Sequence, residues 1–149
     1  MNKIKKILFA VLVTFGIHTQ AQLRTVDSSD KVSYYICYNE DNGSSLNLSI
    51  GFNNKGRALS VKYKGMNSSM DLIFIRGENQ NPSGPYPVSV EYYNEMYQEK
   101  VNGKYTLIHS GIWDYVEYTR GKDSKKFNFT IDHNTIDHNS NSYRSTPCF

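Results

Sequence analysis

Three short stretches hold the side chains that could do chemistry. The first is a tandem repeat, Ile131-Asp132-His133-Asn134-Thr135 followed by Ile136-Asp137-His138-Asn139-Ser140. Imidazoles and carboxylates this close are possible ligands for a divalent metal. A structural zinc site needs four well-placed ligands, and a short duplication in a solvated tail writes the same letters, so no metal is expected. The second is His109-Ser110, a base beside a hydroxyl. Neighbours on a strand point to opposite faces, and neither a Gly-x-Ser-x-Gly turn nor a third orienting residue accompanies them. The third is Asp114 and Glu117 beside Trp113, Tyr115 and Tyr118. Paired carboxylates near aromatics can hydrolyse sugars, but this spacing sends the two to opposite faces of one strand. They read as solvated residues or as cross-strand partners for Lys and Arg. The expectation is no catalytic residue, no cofactor and no enzyme.

Binding chemistry is better represented. Trp113 and Tyr115 alternate with Tyr118 on one segment, and Tyr92, Tyr93 and Tyr97 form a second cluster. Exposed Trp and Tyr combine apolar area with a polar tip, which suits protein and glycan contacts. Tyr86 sits in a Pro-rich stretch, and binding residues concentrate on such loops.

These residues have to be held by a scaffold, and the scaffold begins with an address. Lys3, Lys5 and Lys6 precede an apolar run from Ile7 to Ile17, and Thr19-Gln20-Ala21 follows. That is a basic n-region, a short h-region and a small-residue cleavage site, so residues 1–21 read as a signal peptide and the destination as periplasmic or secreted. The apolar run is shorter than the roughly 20 residues that span a bilayer. The mature chain is expected to hold no transmembrane segment. The whole chain has 17 Lys and Arg against 14 Asp and Glu, and those three lysines leave with the signal, so the rest is balanced. Without excess positive charge a phosphate-backbone binder is disfavoured, and no nucleic-acid partner is expected.

What remains is one domain's worth of chain. It keeps every Tyr and all but two of the 7 Phe, and these favour strands. Residues 22–31 read as an N-terminal extension, 32–132 as a β domain and 133–149 as a polar coil. Eight segments alternate or run apolar. Tyr34, Ile36 and Tyr38 share one face of the first. Leu46, Leu48, Ile50 and Phe52 alternate with polar residues in the second, and Leu59, Val61 and Tyr63 in the third. Residues 70–76 form the fourth. Residues 77–87 hold three of the four prolines and read as a loop. The fifth starts near Val88, with 92–98 open between strand and helical turn. Asn102-Gly103 reads as a hairpin turn into Tyr105, Leu107 and His109. Trp113 to Arg120 is the seventh segment, and Phe127, Phe129 and Ile131 mark the eighth. The fold class is therefore all-β, an antiparallel meander of about eight strands closed into a small or flattened barrel. Cys37 and Cys148, an even pair in an oxidising compartment, are expected to form a disulfide that ties the tail beside strand one.

This plan resembles the periplasmic inhibitors of c-type lysozyme, small exported eight-stranded barrels with an early Tyr-x-Cys strand and a cysteine near the C-terminus. Tyr35-Ile36-Cys37 and Cys148 match that pattern. The family's Ser-Gly-x-x-Tyr loop and the basic motif after it are similar to Ser110-Gly111 with Tyr115, then Arg120-Gly121-Lys122. Tyr115 stands one residue later than that spacing, and Trp113 stands near where a basic residue is usual. The resemblance implies that Ser110 presents its hydroxyl to catalytic carboxylates and that Lys122 or Arg120 pairs with one. The expected function is a non-enzymatic exported module that engages a protein or glycan through Ser110, Trp113, Tyr115, Lys122 and Tyr86. The alternative is a lipocalin-like carrier with a small apolar ligand inside the barrel.

Overall fold

A computed structural model describes residues 31–80, 84–137, 140 and 142–149. The signal peptide at 1–21, the extension short of Lys31, Pro82 and His138 of the tandem repeat lie outside the described residues. Eight strands form a closed antiparallel barrel in sequence order. They are β1 (Tyr34–Glu40), β2 (Asn47–Phe52), β3 (Ala58–Tyr63), β4 (Met70–Gln80), β5 (Val88–Tyr97), β6 (Lys100–Ser110), β7 (Trp113–Arg120) and β8 (Lys126–Ile131). Closure comes from Tyr38, Asn39 and Glu40 of β1 pairing with Ile131, Thr130 and Phe129 of β8. Among the described residues no helix is long and apolar enough to cross a membrane.

Period-two patterning explains the wall. Ile36 and Tyr38 on β1, Leu48 and Ile50 on β2, Val116 and Tyr118 on β7, and Phe129 and Ile131 on β8 all turn inward and are buried. Tyr93 of β5 and Tyr105 of β6 fill the middle with their rings. In a barrel of eight strands such side chains occupy nearly all the interior.

The structure differs from the sequence reading at three places and settles a fourth, 92–98, that the sequence left open. Residues 77–80 belong to β4, not to a loop, because Gly77 to Gln80 pair with Glu91 to Val88 of β5. The prolines all lie beyond Gln80, so nothing interrupts that ladder. The segment 92–98 is strand as far as Tyr97, and the chain reverses at Gln98 and Glu99, which both take positive φ, 48° and 62°. Asn102-Gly103 is therefore inside β6. Glu95 faces Gly103 while Met96 faces Val101, which leaves Asn102 as the extra residue of a bulge. A side chain at 103 would meet the Tyr118 ring at 2.3 Å, so the glycine makes room for that ring rather than for a turn. Leu59 is displaced in the same way. Phe52 pairs with Ala58 and Gly51 with Ser60, so Leu59 drops out of register and Ala58 takes the inward place.

The tail is more than a coil. His133–Thr135 forms a 3-10 turn capped by Asp132, and the Tyr35 N–H donates to the Arg144 carbonyl at 2.8 Å. The tail thus continues the wall beside β1 beyond the end of β8. Cys37 and Cys148 are bonded, with Cα atoms 5.9 Å apart across 111 residues.

Candidate functional site

The two ends of the barrel differ. One rim carries the β2–β3 turn, the β4–β5 loop, the β6–β7 turn and the start of the tail. The other carries the remaining four turns.

At the first rim, β6 and β7 meet through two residues, Gly111 and Ile112, between the paired Ser110 and Trp113. Gly111 has φ +63°, which glycine adopts without strain at the first place of such a turn. The Tyr86 ring lies over it, so close that a Cβ at 111 would sit 3.3 Å from the ring. Ile112 stands at the apex, 74% exposed. Trp113 and Tyr115 stack on the outer face of β7 with centroids 6.2 Å apart, and the His133 ring meets Trp113 edge-on at 4.7 Å. Of the five residues expected to bind, Ser110, Trp113, Tyr115 and Tyr86 gather here. Lys122 does not. It lies in the turn after Arg120, and the intervening strand of eight residues is about 26 Å long at about 3.3 Å per residue. Arg120, at that same far end, is engaged with Asp123 at 2.6 Å.

Behind the tip lies a cup of about 300 Å³ that opens at the rim. Its walls include Tyr34, Phe52 and Tyr143, which form a stack with centroids 5.3 and 5.2 Å apart. Besides tyrosine hydroxyls, its polar side chains among the described residues are Ser89, Glu91, His109 and Asp114. Asp114 is buried rather than solvated, and its cross-strand partner is a histidine rather than Lys or Arg, because it shares inward parity with Val116 and Tyr118 on β7. His109 stands opposite on β6, and its Nδ1 lies 2.8 Å from Asp114 Oδ1. Burial raises the Asp114 carboxyl above the usual carboxylate range, while the His109 hydrogen bond and the His109 and His133 charges pull it back. The other oxygen, Oδ2, is buried and finds no donor among the described residues. Burial first, then the Asp114 charge with others, raises Tyr38, and burial followed by the Tyr143 and Asp114 charges raises Tyr34. These hydroxyls stay protonated.

Sequence reasoning set His109 beside Ser110 rather than opposite Asp114, and it did not single out Ile112, Glu91, Tyr34 or Tyr143 as site residues. Parity was the available signal for the first: His109 follows Tyr105 and Leu107 in steps of two, and Asp114 precedes Val116 in the same way. Tyr143 is brought in by the tail. Among the described residues no group of three or more His, Cys, Asp or Glu could hold a metal ion.

The second rim holds another buried carboxylate. Glu95 is fully buried and accepts hydrogen bonds from the hydroxyls of Tyr63, Tyr118 and Tyr105 at 2.8, 3.0 and 3.1 Å, and from the Asn102 amide. The Tyr63 and Tyr105 hydroxyls also touch each other. Burial and then the Glu95 charge push Tyr118 up to about 12, so it remains a donor.

No family model matches the chain, and neither a curated protein nor a solved structure does.

Proposed function

We propose that the protein is an exported binding module that takes a protein partner at the rim built around Ile112, and that it acts as an inhibitor of a cell-wall lytic enzyme. The observation that carries this reading is the protruding tip. An aliphatic side chain stands three-quarters exposed at the apex of a two-residue turn, pinned from below by Tyr86 and flanked by Trp113 and Tyr115. Exposed apolar and aromatic residues on a rigid hairpin make a small wedge, and an enzyme cleft is the concave surface that receives one. The closed barrel itself fits a binding or carrier module. The middle of its interior, around Tyr93, Tyr105 and Phe129, is packed with side chains, which supports a contact at the rim over an apolar ligand held deep inside.

The test is a peptidoglycan-lysis assay with c-type lysozyme and the oxidised mature chain. The reading expects wild type to slow lysis and Ile112→Asp or Trp113→Ala to weaken that effect about tenfold or more. Lys122→Ala, at the far end, should change it little. Full lysozyme activity at saturating wild type would remove the inhibitor reading. Undiminished inhibition by the tip variants would move the contact elsewhere.

A further inference from the structure

We propose that the cup behind the tip binds a primary ammonium group, with Asp114 as its acceptor. The inference stands on the cup alone and does not depend on the tip meeting a protein.

The cup's composition sets the sign of the ligand. Two carboxylates, Asp114 and Glu91, line it together with one imidazole, and among the described residues neither Lys nor Arg lines it. The Arg57 guanidinium is not in that lining and lies over the Phe74 ring, 3.4 Å from its centroid. Negative charge held between low-dielectric aromatic walls favours a cation over a neutral or anionic guest.

Asp114 supplies the second, independent observation. The residue is 8% exposed, and one carboxylate oxygen is bonded to His109 while the other has no donor among the described residues. A buried acceptor left unpaired costs free energy, and an N–H donor delivered by a ligand recovers it. A charged donor recovers more, because it also offsets the desolvation that disfavours the ionised carboxylate. Burial raises the Asp114 carboxyl, and the His109 and His133 charges offset only part of that rise. The walls decide the rest of the ligand. Tyr34, Phe52 and Tyr143 offer an apolar slab against which an alkyl stem can lie, and the volume admits one slender chain. An alkylammonium meets both demands, either as a free amine or as the lysine side chain of a partner.

The experiment is a titration of the oxidised mature chain followed by amide chemical shifts, with three probes. These are n-butylammonium, lysine blocked at both backbone ends, and n-butanol as the uncharged counterpart. The two amines should bind in the millimolar range, as suits ligands so small, with shifts centred on His109, Asp114 and Tyr143. n-Butanol should bind about tenfold more weakly or not at all. Tighter binding of the blocked lysine points to a protein side chain as the natural guest, and tighter binding of butylammonium to a free amine. Asp114→Asn should weaken the amines about tenfold, while Lys126→Ala, exposed at the start of β8 toward the other rim, leaves them unchanged. Equal binding of n-butanol and n-butylammonium to wild type would overturn the proposal even if the Asp114 variant failed to fold. So would the absence of any shift with the amines.

Discussion

Of the carboxylates buried among the described residues, Glu40, Glu95 and Asp114, the last two sit one toward each rim, and their surroundings are opposite. Glu95 is surrounded by donors: three tyrosine hydroxyls and an amide converge on its two oxygens. Asp114 has one imidazole on one oxygen and nothing on the other among the described residues. A fully satisfied buried charge fixes the side chains around it and leaves a ligand nothing to add. A half-satisfied one is a local cost, and the protein keeps it beside an open cup and an exposed apolar tip. The contrast divides the molecule into a fastened rim and a receiving rim.

The fastened rim should therefore be the expensive one to disturb. Removing the Glu95 carboxylate by Glu95→Ala strands several buried donors and leaves a void, and should cost about 3–5 kcal/mol in urea unfolding. Next in size is Gly103→Ala, whose Cβ would collide with the Tyr118 ring that donates to Glu95. Overpacking of that kind should cost about 1–3 kcal/mol, read from the same unfolding curves. At the receiving rim, Trp113→Ala should leave stability within about 1 kcal/mol while weakening partner binding. That separation of binding from stability sharpens the comparison, and a large drop in stability would blur it.

The smallest effect is one of pH. The folded protein holds the Asp114 proton more tightly than the unfolded chain does, because burial raises that carboxyl. The stability this contributes is fully present below the unfolded value of about 4 and is lost as pH rises through the raised folded value. Asp114→Asn has no such proton. The gap in urea midpoint between wild type and this variant should accordingly move against wild type as pH is raised from about 4 to about 7. A gap that stays constant over that range would mean Asp114 has an ordinary carboxylate environment.

Much of the fastened barrel could be read from residue order, because alternation fixes which side of a strand faces in. The run from Leu48 through Ile50 to Phe52 needed no tertiary information. The errors came where a local signal had a long-range cause. Asn102-Gly103 carries the letters of a tight turn, yet the glycine is there for the Tyr118 ring and the asparagine for Glu95, partners that sequence does not reveal as neighbours. The actual reversal uses Gln98 and Glu99, whose positive φ is imposed by the pairing on either side. The prolines of the β4–β5 loop led the loop to be drawn too long, because proline marks where a ladder stops but not how far the residues before it can pair. At the receiving rim the tip residues were legible as exposed aromatics. The cup was not. It needs the tail folded back so that Tyr143 stacks on Tyr34, and that return is directed by the Cys37–Cys148 bond and the Tyr35–Arg144 bridge. Asp114 was read as solvated or as a partner for Lys and Arg because its letter outweighed its parity.

The comparison is tested most directly by urea unfolding of Glu95→Gln and Asp114→Asn side by side with wild type at neutral pH. Both variants remove one charge and keep the shape. The account predicts a loss of about 2 kcal/mol or more for Glu95→Gln, since its new amide N–H group stands where an oxygen accepted from those donors, and a change within about 1 kcal/mol for Asp114→Asn. A loss for Asp114→Asn as large as that for Glu95→Gln would contradict it, making Asp114 a second fastening and the cup a by-product of the fold.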